Sequence, residues 1–135
     1  MKKKNMMKVL LVKPETHPQV VEIENELEVL QKIVGGLIQA VYPFEDEVCL
    51  ICNDEGKLLN LQMNRALSCP LSDDDGGIYD VIAGNFLVVG AGIDNFCSLT
   101  DEQIERYEKR FHQPEMFLRI GQQIVVFPMS DEEVK

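Results

Sequence analysis

Val48-Cys49-Leu50-Ile51-Cys52-Asn53-Asp54-Glu55-Gly56 joins a short apolar, β-branched run to a polar turn. The run has strand length and no polar face, so it predicts a strand buried on both sides. Gly56 stands where a type I turn with a bulge wants a left-handed residue, and Lys57 to Leu61 then reads as the return strand of a hairpin. Cys49 and Cys52 have the C-x-x-C spacing of redox and zinc sites. In a strand, however, residues three apart point to opposite faces, with about 10 Å of rise between them. The prediction is two buried thiols on opposite faces, sharing neither a metal nor a disulfide.

Outward toward the N-terminus, Met6 to Val12 and the alternating Val20 to Glu24 read as strands, separated by a loop holding Pro14 and Pro18. A helix follows over about 25–35: Asn25 and Glu28 form a capping box, Leu27, Leu30, Ile33 and Val34 form its apolar face, and Gly35 ends it. Leu37 to Tyr42 is the next strand. Toward the C-terminus, Asn64 to Leu67 reads as a helical turn, Ser72 to Gly77 as an exposed acidic loop, and Phe86 to Val89 as a strand. Gly84 and Gly90 flank that strand and suggest close backbone approach. A second helix over 100–112 has the clearest signal. Thr100 caps it, Gln103 completes the box, acids lie in its first turn and bases in its last, and Ile104, Tyr107 and Phe111 share one face. Met116 to Ile120 and Gln123 to Phe127 pair around Gly121-Gln122 as a terminal hairpin. The fold class is a single α+β domain over residues 1–135, with a mixed or mostly antiparallel sheet, a flexible basic tail at 1–5 and a flexible acidic tail at 130–135.

Hydrophobic residues at 45% and charged residues at 27% exclude a disordered or low-complexity chain. No apolar run reaches the ~18 residues of a membrane span. The net charge is −10, yet the first thirteen residues hold five lysines and no acid, so the body is more acidic than the whole. An acidic body disfavours direct nucleic-acid binding and suits either solubility or imitation of a nucleic acid. The Lys-rich start precedes a run broken by Lys8 and Lys13-Pro14, with no small-residue cleavage site after it, so the expected location is cytoplasmic. Unpaired cysteines agree with a reducing compartment.

Catalytic and metal signatures are absent, and no cofactor is implied. Asp73-Asp74-Asp75-Gly76-Gly77 does not place glycine and glutamate where a calcium loop needs them. The two histidines are His17, in the proline-rich loop, and His112, at a helix end where a cation is favoured. The glycines lack phosphate-loop spacing. What remains is a polar constellation of Asn53, Glu55, Lys57, Asn64, Arg65 and Asp80. Either Arg65 forms an internal ion pair with Asp80 while the amides tie down turns, or these groups converge on a ligand or partner.

Val34-Gly35-Gly36, the stretch from Asn53 through Leu58 to Asn64-Arg65-Ala66-Leu67, Asp80 to Gly84, and Val88-Val89-Gly90 resemble a domain-of-unknown-function family of small proteins. Phages, plasmids and conjugative elements encode its members, often near anti-restriction genes. The resemblance covers about residues 6–120. The family usually has Asn-Gly-Leu-Pro before Asn-Arg, where this chain has Leu59-Asn60-Leu61-Gln62; Asn60 can supply the left-handed conformation of the missing glycine. The resemblance implies a mobile-element setting and no reaction. The expected function is a non-enzymatic accessory or interaction protein with a protein partner, such as a modulator of host defence. The alternative is a small-ligand domain holding a nucleotide or other anion with Asn53, Lys57, Asn64 and Arg65. A homodimer is also expected, because short apolar strands near both termini leave sheet edges for a second copy.

Overall fold

In the computed structural model, residues 5–56, 58–68 and 78–135 are described. Strands form where apolar residues alternate or run unbroken: β1 Met6–Val12, β2 Gln19–Glu24, β3 Ile38–Val41, β4 Val48–Asn53, β5 Met63–Ser68, β6 Ile78–Ala83, β7 Phe86–Ala91, β8 Phe96–Cys97, β9 Glu115–Ile120 and β10 Gln123–Pro128. Helix α1 spans Leu27–Val34 and α2 spans Asp101–Phe111. The main sheet runs β2-β1-β7-β4-β3, and β8 pairs with the end of β7. β5–β6 and β9–β10 are separate two-stranded sheets, and every pairing among the described residues is antiparallel. The expected α+β architecture is therefore the observed one.

The centre of the sheet is buried on both faces, which is why β4 and β7 read as unbroken apolar runs. On one face Val48, Leu50, Cys52, Phe86 and Val88 pack with Tyr107 and Phe111 of α2 and with Leu67 and Ile82 of the β5–β6 hairpin. On the other, Cys49, Ile51, Leu87 and Val89 pack with Leu30 and Val34 of α1. Cys49 and Cys52 thus face opposite sides of one strand, as period-two geometry requires. Burial pushes the Cys49 thiol up to about 11, far from a reactive thiolate. In a Cys69→Ser protein, Cys97, the exposed thiol, is expected to react at once with a chromogenic disulfide reagent. Cys49 and Cys52 should react only on unfolding; fast native modification of either would contradict this burial.

Helix α2 forms as its sequence predicts: Gln103 N donates to Thr100 Oγ1 at 3.1 Å and Thr100 N donates to Gln103 Oε1 at 2.9 Å. At its side, Asp46 accepts from Arg106 at 2.6 Å, from the Tyr107 hydroxyl at 2.9 Å, from Gln103 at 3.3 Å and from the Glu47 amide at 2.8 Å. Burial alone would raise the Asp46 carboxyl, but these donors outweigh it and hold the group below its usual range. A lowered folded-state pKa stabilises the fold above the unfolded pKa and is lost as pH falls through the folded value. Asp46→Asn should therefore cost about 1 kcal/mol near neutral pH, with the difference from the parent closing in acid. Urea melts across the acid range check the sign; a gap that widened in acid would contradict it.

Five local expectations are corrected. Asn25 does not cap α1: Glu26 takes the N-cap position without a side-chain bond, and Asn25 Nδ2 donates to Phe96 O at 2.9 Å. The helix is shorter than 25–35, and Leu27 is exposed. Asn64 to Leu67 is strand β5, because pairing with β6 overrides a local helical preference. Of the return strand expected over Lys57 to Leu61, the described residues 58–61 form no strand. The described residues 58–60 are turns, with Leu59 N donating to Glu55 O and Leu61 N to Gly56 O. Gly56 is not left-handed; a Cβ there would lie 2.8 Å from Ala83 O, so close approach explains the residue. Asn60 does adopt φ 56, supplying the left-handed step. The expected loop over Ser72 to Gly77 lies outside the described residues. At the C-terminus, Lys135 N donates to Glu15 O at 2.9 Å and Lys135 Nζ lies 2.8 Å from Glu15 Oε2.

Candidate functional site

A helix leaves its last carbonyls without intrahelical donors, and something must satisfy them when the end is buried. In both helices of this fold the donors are side chains of the polar constellation. Asn53, at the end of β4, donates from Nδ2 to Val34 O, the last residue of α1, at 3.0 Å, while its Oδ1 accepts from Glu55 N at 2.7 Å. A Cβ on Gly36 would lie only 3.0 Å from that Nδ2. The Gly35-Gly36 pair is thus matched to Asn53: Gly35 turns left-handed at φ 83, and Gly36 makes room for the amide.

Arg65 does the corresponding work for α2. The residue is 1% exposed, and all five guanidinium donors are engaged. Nε donates to Phe111 O at 3.1 Å; Nη1 donates to Asn64 O at 3.2 Å and to Asn64 Oδ1 at 2.9 Å; Nη2 donates to Thr16 O at 2.7 Å and to Phe111 O at 2.9 Å. Phe111 ends α2, so the cation sits on the negative pole of the helix. Asn64 is completely buried and equally engaged, its Nδ2 donating to Val12 O and Gly84 O, both at 2.9 Å. One dipeptide on β5 therefore joins the end of β1, the β6–β7 turn, the loop after β1 and the end of α2.

The expected Arg65–Asp80 ion pair is not formed. Asp80 Oδ1 instead accepts from Val81 N at 2.8 Å. The strand assignment explains the difference: Asp80 lies opposite Leu67 rather than Arg65 in the β5–β6 register. Burial pulls the Arg65 pKa down to about 10, with Glu115 acting in the opposite direction, so the group remains charged at neutral pH. Outside this knot, His17 and His112 stack with centroids 4.3 Å apart. His17 Nδ1 bonds His112 O at 2.7 Å and His112 Nδ1 bonds Glu108 Oε1 at 2.6 Å. Sequence reading treated the two histidines separately, and no local signal joins positions so distant in the chain.

Of the six residues, the five described ones border different cavities or none of those described. Asn53, Glu55 and Asp80 line a cavity of about 200 Å³ with Asp54 and Gln39. Arg65 borders a different one, of about 270 Å³, with Arg110, Gln113 and Glu115. Asn64 is buried between elements, and Lys57 lies outside the described residues. Among the described residues no group of three His, Cys, Asp or Glu side chains is placed to hold a metal ion, and no helix is long and apolar enough to cross a membrane.

A family model described as domain of unknown function DUF3846 matches residues 7–112, which takes in both helices, the main sheet and the Asn64-Arg65 knot. No curated protein and no solved structure matches the chain.

Proposed function

The chain belongs to the DUF3846 family, a domain of unknown function, and on that premise we propose that it is a non-enzymatic accessory protein of a mobile genetic element. It acts in the cytoplasm by binding a protein of the host or of the element, in the manner of a defence modulator. The observation that carries this reading is the engagement of Asn53, Asn64 and Arg65 within the fold. Their donors already hold the two helix ends and the strand turns, so these residues serve the shared architecture, whereas a reacting site needs polar groups with free valence. Asp54 and Glu55 bring carboxylates to the cleft that Asn53 and Gln39 also line, on a chain of net charge −10. That favours a protein partner with a basic face over a nucleic acid. An exposed Cys97 thiol suits a reducing compartment, and the mobile-element setting rests on the resemblance of the motifs to the family.

The test is affinity capture from host lysate by the tagged chain, followed by calorimetry with the purified candidate. A single specific partner whose affinity falls as salt rises is expected. Recovery of no partner that binds after purification would sink the reading. The small-ligand alternative would require an anion to displace one of the carbonyls held by Arg65 beside the Arg110 cavity. A thermal-shift screen with phosphate and nucleotides separates the two, since only the ligand reading expects stabilisation.

A further inference from the structure

The main sheet ends at β3, and among the described residues no strand pairs with its outer side. Asp54 N donates to Leu37 O at 2.8 Å, which makes Leu37–Asp54 a hydrogen-bonded pair. In the β3–β4 register Gln39–Cys52 and Val41–Leu50 are then hydrogen-bonded pairs as well. The alternate residues, Ile38 and Ala40, turn their N–H and C=O groups outward, away from β4. Strand edges are commonly blunted by charged side chains or proline, and Ile38-Gln39-Ala40-Val41 holds neither. The opposite edge, β2, carries Glu22 and Glu24. Side chains of β3 alternate: Ile38 packs with the core on the α1 face, whereas Gln39 and Val41 line the cavity of about 200 Å³ that Val81 and Ile82 of β6 bound on its far side. Asp54 and Glu55, both exposed, line the same cavity.

We propose that β3 is a docking edge for an extended segment of a partner protein, which adds to the sheet as a further strand and lays a basic side chain beside Asp54 and Glu55. The proposal rests on the partner reading above and deepens it. Two observations select the occupant. The first is the backbone: outward N–H and C=O groups at the spacing of a strand are matched by another extended chain, not by a lipid or a globular face. The second is charge. In the added strand, side chains over the cavity recur at every second residue. One of them falls at the Asp54–Glu55 end and the next beside Val41, so the favoured sequence is a lysine or arginine, any residue, then an apolar one. A second copy of this chain fits poorly. Antiparallel pairing of two β3 strands about a two-fold axis sets the Asp54–Glu55 end of each toward the loop of the other that holds the exposed Glu45 and Glu47, like charge against like.

Fluorescence anisotropy with the full chain and a labelled peptide of repeating Thr-Lys-Thr-Val tests the proposal. Saturable binding that weakens as salt rises is expected, and a Thr-Glu-Thr-Val peptide should not bind. Ala40→Pro removes an outward N–H and none of the bonds to β4, so its melting temperature should stay close to the parent's while peptide binding is lost. Asp54→Lys with Glu55→Lys, both at exposed positions, should cut binding of the Lys peptide severalfold and admit the Glu peptide. A parent chain that does not bind the Lys peptide overturns the proposal. Binding that survives Ala40→Pro or the paired lysine change also overturns it, since either the strand or the carboxylates would then be dispensable. Self-association of the parent in sedimentation velocity that Ala40→Pro abolishes makes the occupant a second copy and overturns it too. Lysate capture keeps the two readings apart: a partner captured equally by the parent and by Ala40→Pro leaves the partner reading standing and removes the docking edge. Peptide binding by an edge that captures no partner leaves the edge and removes the partner reading.

Discussion

Arg65→Ala is expected to cost about 3–5 kcal/mol of folding stability, a large share of the roughly 5–15 kcal/mol that holds a domain of this size. The change removes five donors at once. It leaves the Phe111, Thr16 and Asn64 carbonyls and the Asn64 side-chain oxygen facing a void in place of a guanidinium. Arg65→Lys keeps the charge but gathers its donors on one nitrogen, which cannot reach carbonyls on three separate elements, so it should recover only part of the loss. Double-mutant cycles then identify the partner. Arg65→Ala with Asn64→Ala should be strongly non-additive, because the two side chains share a bond. Arg65→Ala with Asp80→Asn should be additive, because the five Arg65 donors go to Phe111, Thr16 and Asn64 and none goes to Asp80. Coupling to Asp80, or a fully stable Arg65→Ala protein in urea melts, would contradict the knot.

None of the five hydrogen bonds of the buried Arg65 goes to a carboxylate, and the helix supplies the negative charge they meet. The C-terminus of α2 carries about half a negative charge, concentrated on carbonyls that have no other donor. Arg65 meets that charge and those carbonyls together. Asn53 does the same at α1 with a neutral group, and Asn85 adds a further donor to Ile33 O at 3.2 Å. Sheet side chains terminate both helices, so the order of the strands and the lengths of the helices are settled by the same contacts. This accounts for Asn53, Asn64 and Arg65 as features of the fold and directs the search for function to the surface.

What the sequence made legible was local. The α2 capping box uses residues three apart, the opposed cysteines follow from strand period, and the terminal hairpin follows from alternation around Gly121. What it hid was contact across long separations. Asn25 prefers the Phe96 carbonyl, 71 positions away, to the helix it precedes. Arg65 reaches Phe111, 46 positions away, and Asn64 reaches Val12, 52 positions away. A nearby acid such as Asp80 is the obvious partner for an arginine in a sequence, because carbonyls leave no mark on residue type. On the terminal hairpin, the alternation of Met116, Leu118 and Ile120 marked a shared face. Its exposure was not legible, since alternation says which residues share a face and not whether anything covers them.

Gly90→Val is expected to destabilise by about 3 kcal/mol or more, through overpacking against backbone that has nowhere to go. A Cβ at Gly90 would lie 2.6 Å from Ser98 O, 2.8 Å from Cys97 Sγ and 3.0 Å from Cys97 O. The sulfur can swing aside, but the two carbonyls belong to β8 and its exit, which are fixed on several sides. Gly90 pairs with Cys97 across the sheet, Lys8 N donates to Ser98 Oγ at 2.9 Å, and Leu99 N donates to Lys8 O at 2.9 Å. Leu99 is in the core, and Thr100 beside it opens α2. Displacing this segment therefore strains the joint between β1, β7 and the start of α2. Gly90→Ala should cost less but still measurably, because even one methyl meets the Ser98 carbonyl. Gly121→Ala supplies the contrast: nothing lies within 4 Å there, and only its φ of 62 opposes a side chain, a penalty of about 1–2 kcal/mol. Urea melts should rank Gly90→Val as the most damaging of the three, and hydrogen exchange should show its loss of protection at residues 96–99. A Gly90→Ala protein as stable as the parent would mean that β8 yields freely and is not part of the joint.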